Sequence, residues 1–288
     1  MNFKKGILIP VGGNEDKGIE ENERHTLDFI SEGILHRVVQ EAGGIDAKIV
    51  VIPTASSIPV EVGENYLEAF GTLGCTDVTV LDIRSREEAE SENAIELIST
   101  ANCVMFSGGD QSKITKKIGY TKIHGILQER YQKEESFVIA GTSAGAMAMA
   151  SEMISGGSAK ESFIKGAVRM RQGLGLIEQL TIDTHFIKRG RFGRLAEAVA
   201  KFPQIIGIGL AEDTGLVIKD NAAEVIGSGM VIIFDGRKLE HNNEKILKPG
   251  TPMSLTNLKT HVLSNGDRFN IKKKKVKVLP VDQPFTYK

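Results

Sequence analysis

The sequence predicts an α/β protein with a mostly parallel central sheet and a β-rich C-terminal elaboration. Three observations carry that expectation. Short β-rich runs alternate with longer helical patterns through the first two-thirds of the chain, the order that builds a parallel sheet covered on both faces. The strand-like runs end in loops of small and polar residues, and ligands collect beyond the carboxyl ends of such strands. After about residue 205 the alternation stops, and short apolar runs follow one another across tight turns.

Taken in order, Ile7–Val11 reads as the first strand and runs into Gly12-Gly13-Asn14-Glu15. A helical pattern over His25–Glu41 leads to a strand at Lys48–Pro53, which closes in Thr54-Ala55-Ser56-Ser57. Helix Val62–Leu73, strand Asp77–Asp82 and helix Glu87–Ser99 repeat the alternation. Strand Asn102–Phe106 ends in Ser107-Gly108-Gly109-Asp110-Gln111, and helix Ile123–Gln132 precedes strand Phe137–Ala140. Beyond Gly141-Thr142-Ser143-Ala144-Gly145 comes the small, helix-favouring Ala146–Ala150. Leu180–Thr184 is strand-like, Ser155-Gly156-Gly157-Ser158 reads as a glycine-rich loop, and Gly193–Lys201 reads as a helix. Ile205–Leu210, Gly215–Lys219, Ala223–Ile226 and Met230–Phe234 read as antiparallel strands extending the sheet, with Ser264-Asn265-Gly266-Asp267 as a hairpin turn. No repeat or low-complexity linker interrupts this order, so residues 1–288 read as one domain with a β-rich part from about 205.

Composition excludes several classes. The chain has 288 residues, 41% hydrophobic and 25% charged, as in an ordinary globular protein. A net charge of −1 gives no field that draws nucleic acid or an anionic membrane. Cys75 and Cys103 form neither a disulfide framework nor a metal spacing, which favours a reducing, cytoplasmic setting. The first residues lack the apolar stretch of a signal peptide, and no window approaches the roughly 18 apolar residues of a membrane span. No metal site is expected, and no cofactor: Gly12-Gly13 is not a dinucleotide fingerprint, since the third glycine and its spacing are absent. Lys272–Lys275 and the acidic Glu87, Glu88, Glu90 and Glu92 read as solvated faces.

The strongest chemical signal is Gly141-Thr142-Ser143-Ala144-Gly145, a G-x-S-x-G pattern between a strand and a helix, which is the context of a nucleophile elbow. A serine hydroxyl needs a base to take its proton, and the base needs an orienting acid. Of the six histidines, His25 and His36 fall on the polar face of an early helix, and His241 and His261 in the turn-rich tail. His185 lies after Ser143 at the end of a strand-like run, which makes it the candidate base. An order of serine, acid, histidine leaves Glu152, Glu161, Glu178 and Asp183 as possible partners, and the residues alone do not choose among them. Two backbone N–H groups are needed for an oxyanion: Ala144 follows the serine, and Gly109 lies in a neighbouring loop. Arg189, Arg191 and Arg194 read either as the solvated start of a helix or as guanidinium forks for substrate carboxylates, with Asp183 beside them holding a positive group.

The ordered blocks Pro10–Lys17, Ile52–Ser57, Gly108–Gln111, Gly141–Ala146, Asp183–Phe186 and Arg189–Leu195 together resemble peptidase family S51, which holds the cyanophycinases and aspartyl dipeptidases. The resemblance spans nearly the whole chain. It implies a flavodoxin-like α/β sandwich shared with class I glutamine amidotransferases, usually as a homodimer. It also implies a serine exopeptidase that releases β-aspartyl-arginine dipeptides from cyanophycin, a polyaspartate with arginine on each side-chain carboxylate. On that pattern Ser143 is the nucleophile attacking a β-linked aspartyl carbonyl, His185 the general base and Glu161 its acidic partner. Gln111, Asp183, Thr184, Arg189, Arg191 and Arg194 match positions that bind substrate in the family. One departure is Thr184, where the family commonly has glutamine in Asp-Gln-His-Phe, which opens the choice between cyanophycin and smaller aspartyl or isoaspartyl peptides. A glutamine amidotransferase would carry cysteine at the elbow. A catalytically silent module would need a broken triad.

Overall fold

The computed structural model describes residues 6–19, 27–157 and 163–280. In chain order the first half contains β1 (Ile7–Val11), α1 (Ile34–Glu41), β2 (Ile49–Ile52), α2 (Pro59–Thr72), β3 (Val78–Val80), α3 (Glu92–Thr100), β4 (Cys103–Phe106), α4 (Gln111–Lys117), α5 (Lys122–Lys133) and β5 (Val138–Thr142). The second half contains α6 (Ala144–Ala148), β6 (Glu152–Gly157), β7 (Val168–Gln172), β8 (Leu180–Asp183), α7 (Phe192–Lys201), β9 (Ile206–Leu210), β10 (Thr214–Lys219), β11 (Ala222–Gly227), β12 (Val231–Asp235), β13 (Lys259–Leu263), β14 (Arg268–Asn270) and β15 (Lys275–Lys277).

A nine-stranded sheet runs β15-β14-β11-β10-β1-β5-β4-β2-β3. From β1 to β3 every pairing is parallel, and from β1 to β15 every pairing is antiparallel. Strands β1, β2, β4 and β5 are buried along their whole length, as strands covered on both faces are, while the edge strand β3 is half-buried. Alternation decides which residue goes where: Leu8, Val50, Ile52, Val104 and Ile139 enter one core, while Ile9, Ile49, Val51, Met105 and Val138 enter the other. Helices α1 and α2 close the second core with Leu35, Val38, Tyr66 and Phe70. Part of α2 follows from local chemistry: Pro59 occupies its first turn, where a missing N–H costs nothing.

A second sheet, β13-β12-β9-β8, packs into the first core through Leu180, Ile182, Ile206, Ile208 and Ile233. Its outer face is covered by α7 through Leu195 and Val199 against Ile232 and Phe234. The β-rich region therefore does not all extend one sheet. Strands β10 and β11 extend the main sheet as expected, but β9 and β12 leave it, and β8 pairs with β9 in parallel.

Three further expectations change. The turn at 264–267 joins β13 to β14, which lie in different sheets, so it is a crossover and not a hairpin. Ser155–Gly157 belongs to β6, paired with β7 across a register shift at Ile154/Gly156; Ser158 lies outside the described residues. The first helix starts at Ile34 after a run of turns at 27–32, and His25 lies outside the described residues. Helix α4 is additional; Asp110 caps it, accepting from the Ser112 N–H at 2.8 Å.

Candidate active site

The end of β1 gathers the site. Its Val11 carbonyl accepts from the Ser143 N–H at 2.9 Å, and the next carbonyl, of Gly12, accepts from the His185 N–H at 2.8 Å. Gly13 in turn accepts from the Asp213 N–H at 2.9 Å. Three chain segments distant in sequence are thus fixed on successive carbonyls of one strand end. The parallel β8/β9 pair adds the remaining alignment, since Asp183 sits opposite Gly209 and both strands finish side by side.

Ser143 occupies the tip of the turn with φ 50° and ψ −106°, a backbone state that costs on the order of 1–3 kcal/mol outside glycine. The surrounding small residues permit it: a Cβ on Gly145 would lie 2.6 Å from the Phe106 carbonyl oxygen. Gly13 is constrained in a second way. Its φ is +98°, and a Cβ there would lie 2.5 Å from the His185 ring. Any side chain at residue 13 would displace the imidazole.

From the serine a continuous polar chain follows. Ser143 Oγ lies 3.0 Å from His185 Nε2, and His185 Nδ1 lies 2.6 Å from Glu212 Oε1. The other Glu212 oxygen accepts from Lys188 Nζ at 2.9 Å. The distances suit transfer of the hydroxyl proton to a neutral imidazole held by a carboxylate. Burial lowers the His185 pKa below the ordinary imidazole value, and the Arg189 and Arg191 cations add to this; together they outweigh the Glu212 hydrogen bond, which acts the other way. Burial alone would raise Glu212, yet its bonds from Lys188 and His185 hold it below the usual carboxylate value. Imidazole is thereby neutral and carboxylate ionised near neutral pH.

Glu212 is the residue that sequence reasoning missed. The order serine, acid, histidine places the acid before His185, whereas Glu212 follows it. Glu161 lies in the stretch 158–162, outside the described residues, and the Nδ1 position it was expected to occupy is taken by Glu212. Of the other candidates, Glu178 is exposed, and Asp183 is fully buried and engaged elsewhere. A signal for Glu212 did exist: it follows a strand-like run, just as His185 does.

The expected substrate-binding residues separate into two groups. Arg189 is exposed and lines a cleft of about 370 Å³ together with Ser143, His185, Gly109, Glu15 and Lys17. Asp183, Arg191 and Arg194 instead face inward. The Asp183 carboxylate, 0% exposed, accepts from Arg194 Nε at 2.7 Å and Arg191 Nη1 at 3.1 Å. Arg191 also donates to the Thr184 carbonyl at 2.7 Å, and Arg194 to the Gly157 carbonyl at 3.2 Å. Burial brings the Arg191 pKa down to about 10, with the neighbouring Arg194 and Arg189 adding and Asp183 opposing. Thr184 is also fully buried, its Oγ1 3.3 Å from Met147 Sδ. Gln111 is half-buried and donates to the Ile154 carbonyl at 2.8 Å. The N–H groups of Ala144 and Gly109 have no recorded acceptor among the described residues, and Gly109 lines the cleft with Ser143.

Among the described residues no cluster of His, Cys, Asp or Glu has the arrangement of a metal site, and no helix is long and apolar enough to cross a membrane. Both cysteines are buried as free thiols.

With this geometry in place, comparison with known proteins decides the family. A profile described as peptidase family S51 matches residues 27–226. The chain belongs to peptidase family S51. It is 36% identical over 271 residues to a cyanophycinase of Geminocystis herdmanii, covering 94% of this chain and 95% of that one. A cyanophycinase of Trichormus variabilis is 37% identical over 268 residues, with 93% and 86% covered. The fold is similar to that of a peptidase from an acI-B1 actinobacterium, with TM-score 0.65, 22% identity, and 94% and 98% of the two chains covered. This S51 chain is a serine-type peptidase acting on a peptide substrate.

Proposed function

We propose that this S51 peptidase hydrolyses cyanophycin to β-Asp-Arg dipeptides through an acyl-enzyme on Ser143. The observation that carries the reading is the unbroken Ser143–His185–Glu212 hydrogen-bond chain at the cleft, on a chain whose relatives named as cyanophycinases align over nearly its full length. Glu212 takes the role expected of Glu161: it holds the imidazole in one tautomer and stabilises the imidazolium that forms.

The steps follow from the atoms present. His185 Nε2 takes the Ser143 hydroxyl proton as Oγ bonds to the substrate carbonyl carbon. The N–H groups of Ala144 and Gly109 face the developing oxyanion, each contributing about 2.7–4 kcal/mol. His185 then passes its proton to the departing amine as the C–N bond breaks, leaving an ester on Ser143. Water repeats the sequence: His185 takes its proton, the carboxylate leaves, and Ser143 regains its hydrogen.

Product chemistry relocates the attacked carbonyl. A β-Asp-Arg product keeps the amide between the aspartate side chain and arginine. The bond broken must therefore be the main-chain amide between successive aspartates, so Ser143 attacks an α-carbonyl and not the β-linked one expected earlier. The buried Thr184 weakens the argument that its substitution for glutamine alters specificity by direct contact. A fluorophosphonate probe tests the nucleophile: it should label Ser143 in the wild type and fail to label the Ser143→Ala variant. Labelling that persists in that variant would remove Ser143 from the role.

A further inference from the structure

Glu15 and Lys17 line the same cleft as Ser143, and neither has a part in the chemistry above. The Glu15 side chain is 1% exposed, and its neighbours use up its carboxylate. Tyr66 donates its hydroxyl to Oε1, Thr142 donates its hydroxyl to Oε2, and Lys17 Nζ lies 3.2 Å from Oε1. Lys17 Nζ also donates to the Glu15 carbonyl at 3.3 Å and sits 5.4 Å over the Tyr66 ring. An ammonium has three N–H donors; the Glu15 carbonyl takes one, and the contact with Oε1 is an ion pair. The Lys17 side chain is 26% exposed and lines the cleft, so the ammonium keeps donor capacity for a ligand.

The pair is therefore polar in a definite direction: acid buried, base presented. Glu15 is buried and bonded through both oxygens, so it is not open to a substrate ammonium or guanidinium. Arg189 lines the same cleft, exposed and without a carboxylate partner among the described residues. A cleft lined by one fixed cation and one unpaired cation favours anions, and pinning Lys17 in advance removes part of the ordering cost of binding.

We propose that Lys17, positioned by Glu15, is a specificity-determining residue that receives a carboxylate of the substrate beside Ser143. The proposal rests on the serine-peptidase reading and names the group that sets the scissile bond against Ser143. Cyanophycin offers this one chemistry from two sources, the terminal main-chain carboxylate and the free carboxylate of each arginine.

The test uses a short peptide of two β-Asp-Arg units in three forms: unmodified, with the main-chain terminus amidated, and with the arginine carboxylates amidated. Losing a hydrogen bond between charged groups should raise KM about 10- to 100-fold. Lys17→Met should show that rise on the unmodified peptide with a much smaller fall in kcat, and Lys17→Arg should recover part of it. On the peptide lacking the anchored carboxylate, the wild type should already have the high KM, and Lys17→Met should add little; whichever amide does this identifies the source. If Lys17→Met leaves Glu15 uncompensated and misfolds, the double variant Glu15→Gln/Lys17→Met removes both charges and serves the same comparison. A KM unchanged by these substitutions, or raised equally for all three peptides, overturns the anchor. Fluorophosphonate labelling in the same samples separates the two failures. A protein that labels at Ser143 and cuts peptide with a KM indifferent to Lys17 loses only the anchor, whereas one that neither labels nor cuts loses the peptidase reading and the anchor with it.

Discussion

Two charged clusters grow from the end of β8, with only Thr184 between Asp183 and His185, and they behave in opposite ways. Asp183 turns inward, where Arg191 and Arg194 close over it and leave its carboxylate 0% exposed. His185 turns outward, meets Ser143 at 3.0 Å and Glu212 at 2.6 Å, and borders the cleft. Both clusters place cationic groups against carboxylates, yet only the second keeps an exchangeable proton next to open space. What sets the second cluster apart is an imidazole with Nδ1 held by Glu212 and Nε2 facing the Ser143 hydroxyl.

The largest effect should come from cutting the outward cluster at its tip. Ser143→Ala should lower kcat by about 10⁴- to 10⁶-fold in a peptide hydrolysis assay, with the thermal unfolding midpoint little changed. Glu212→Gln should follow, at about 10⁴-fold in kcat, because the amide favours the wrong imidazole tautomer. A Glu212→Gln variant within tenfold of wild type would return the acid role to an undescribed residue such as Glu161.

Cutting the inward cluster should read out in stability instead. Asp183→Ala strands two buried guanidinium groups and should cost about 3–5 kcal/mol in denaturant unfolding. The folded fraction should still label at Ser143; a variant of full stability that had lost activity would move Asp183 from the scaffold to the substrate site. The smallest effect joins the two clusters. Burial first, and then Arg189 and Arg191, disfavour the imidazolium against the Glu212 bond, so the acidic limb of kcat/KM should fall below the ordinary histidine midpoint. Activity is lost as pH drops through that lowered pKa and His185 becomes protonated. Arg189→Gln removes one cation, so the limb should move to higher pH; a limb that moved to lower pH would show the sign to be wrong.

The parallel half of the fold was legible because each strand there is a short apolar run bounded by loops, and β1 begins and ends where the pattern places it. The split of the C-terminal strands was not. Strands β9 and β10 are both short and apolar, and which sheet each joins depends on pairing with β8 or β1 rather than on its own residues. The same reason hid Glu212. Its approach to His185 comes from β8 and β9 lying side by side, a contact that sequence spacing does not encode. Ser143 was legible because the elbow's glycines and strand–helix flanks are local. The arginines illustrate the converse: their proximity in sequence suggested one substrate-binding group, while α7 turns Arg191 and Arg194 toward Asp183 and leaves only Arg189 at the cleft.

Digestion of purified cyanophycin, with products identified by mass spectrometry, addresses the central claim most directly. The wild-type protein should release β-Asp-Arg as its main small product, and the Ser143→Ala variant should release none. Polymer left intact by a protein whose Ser143 labels with fluorophosphonate, or free arginine as the main product, would contradict main-chain cleavage of cyanophycin by this site.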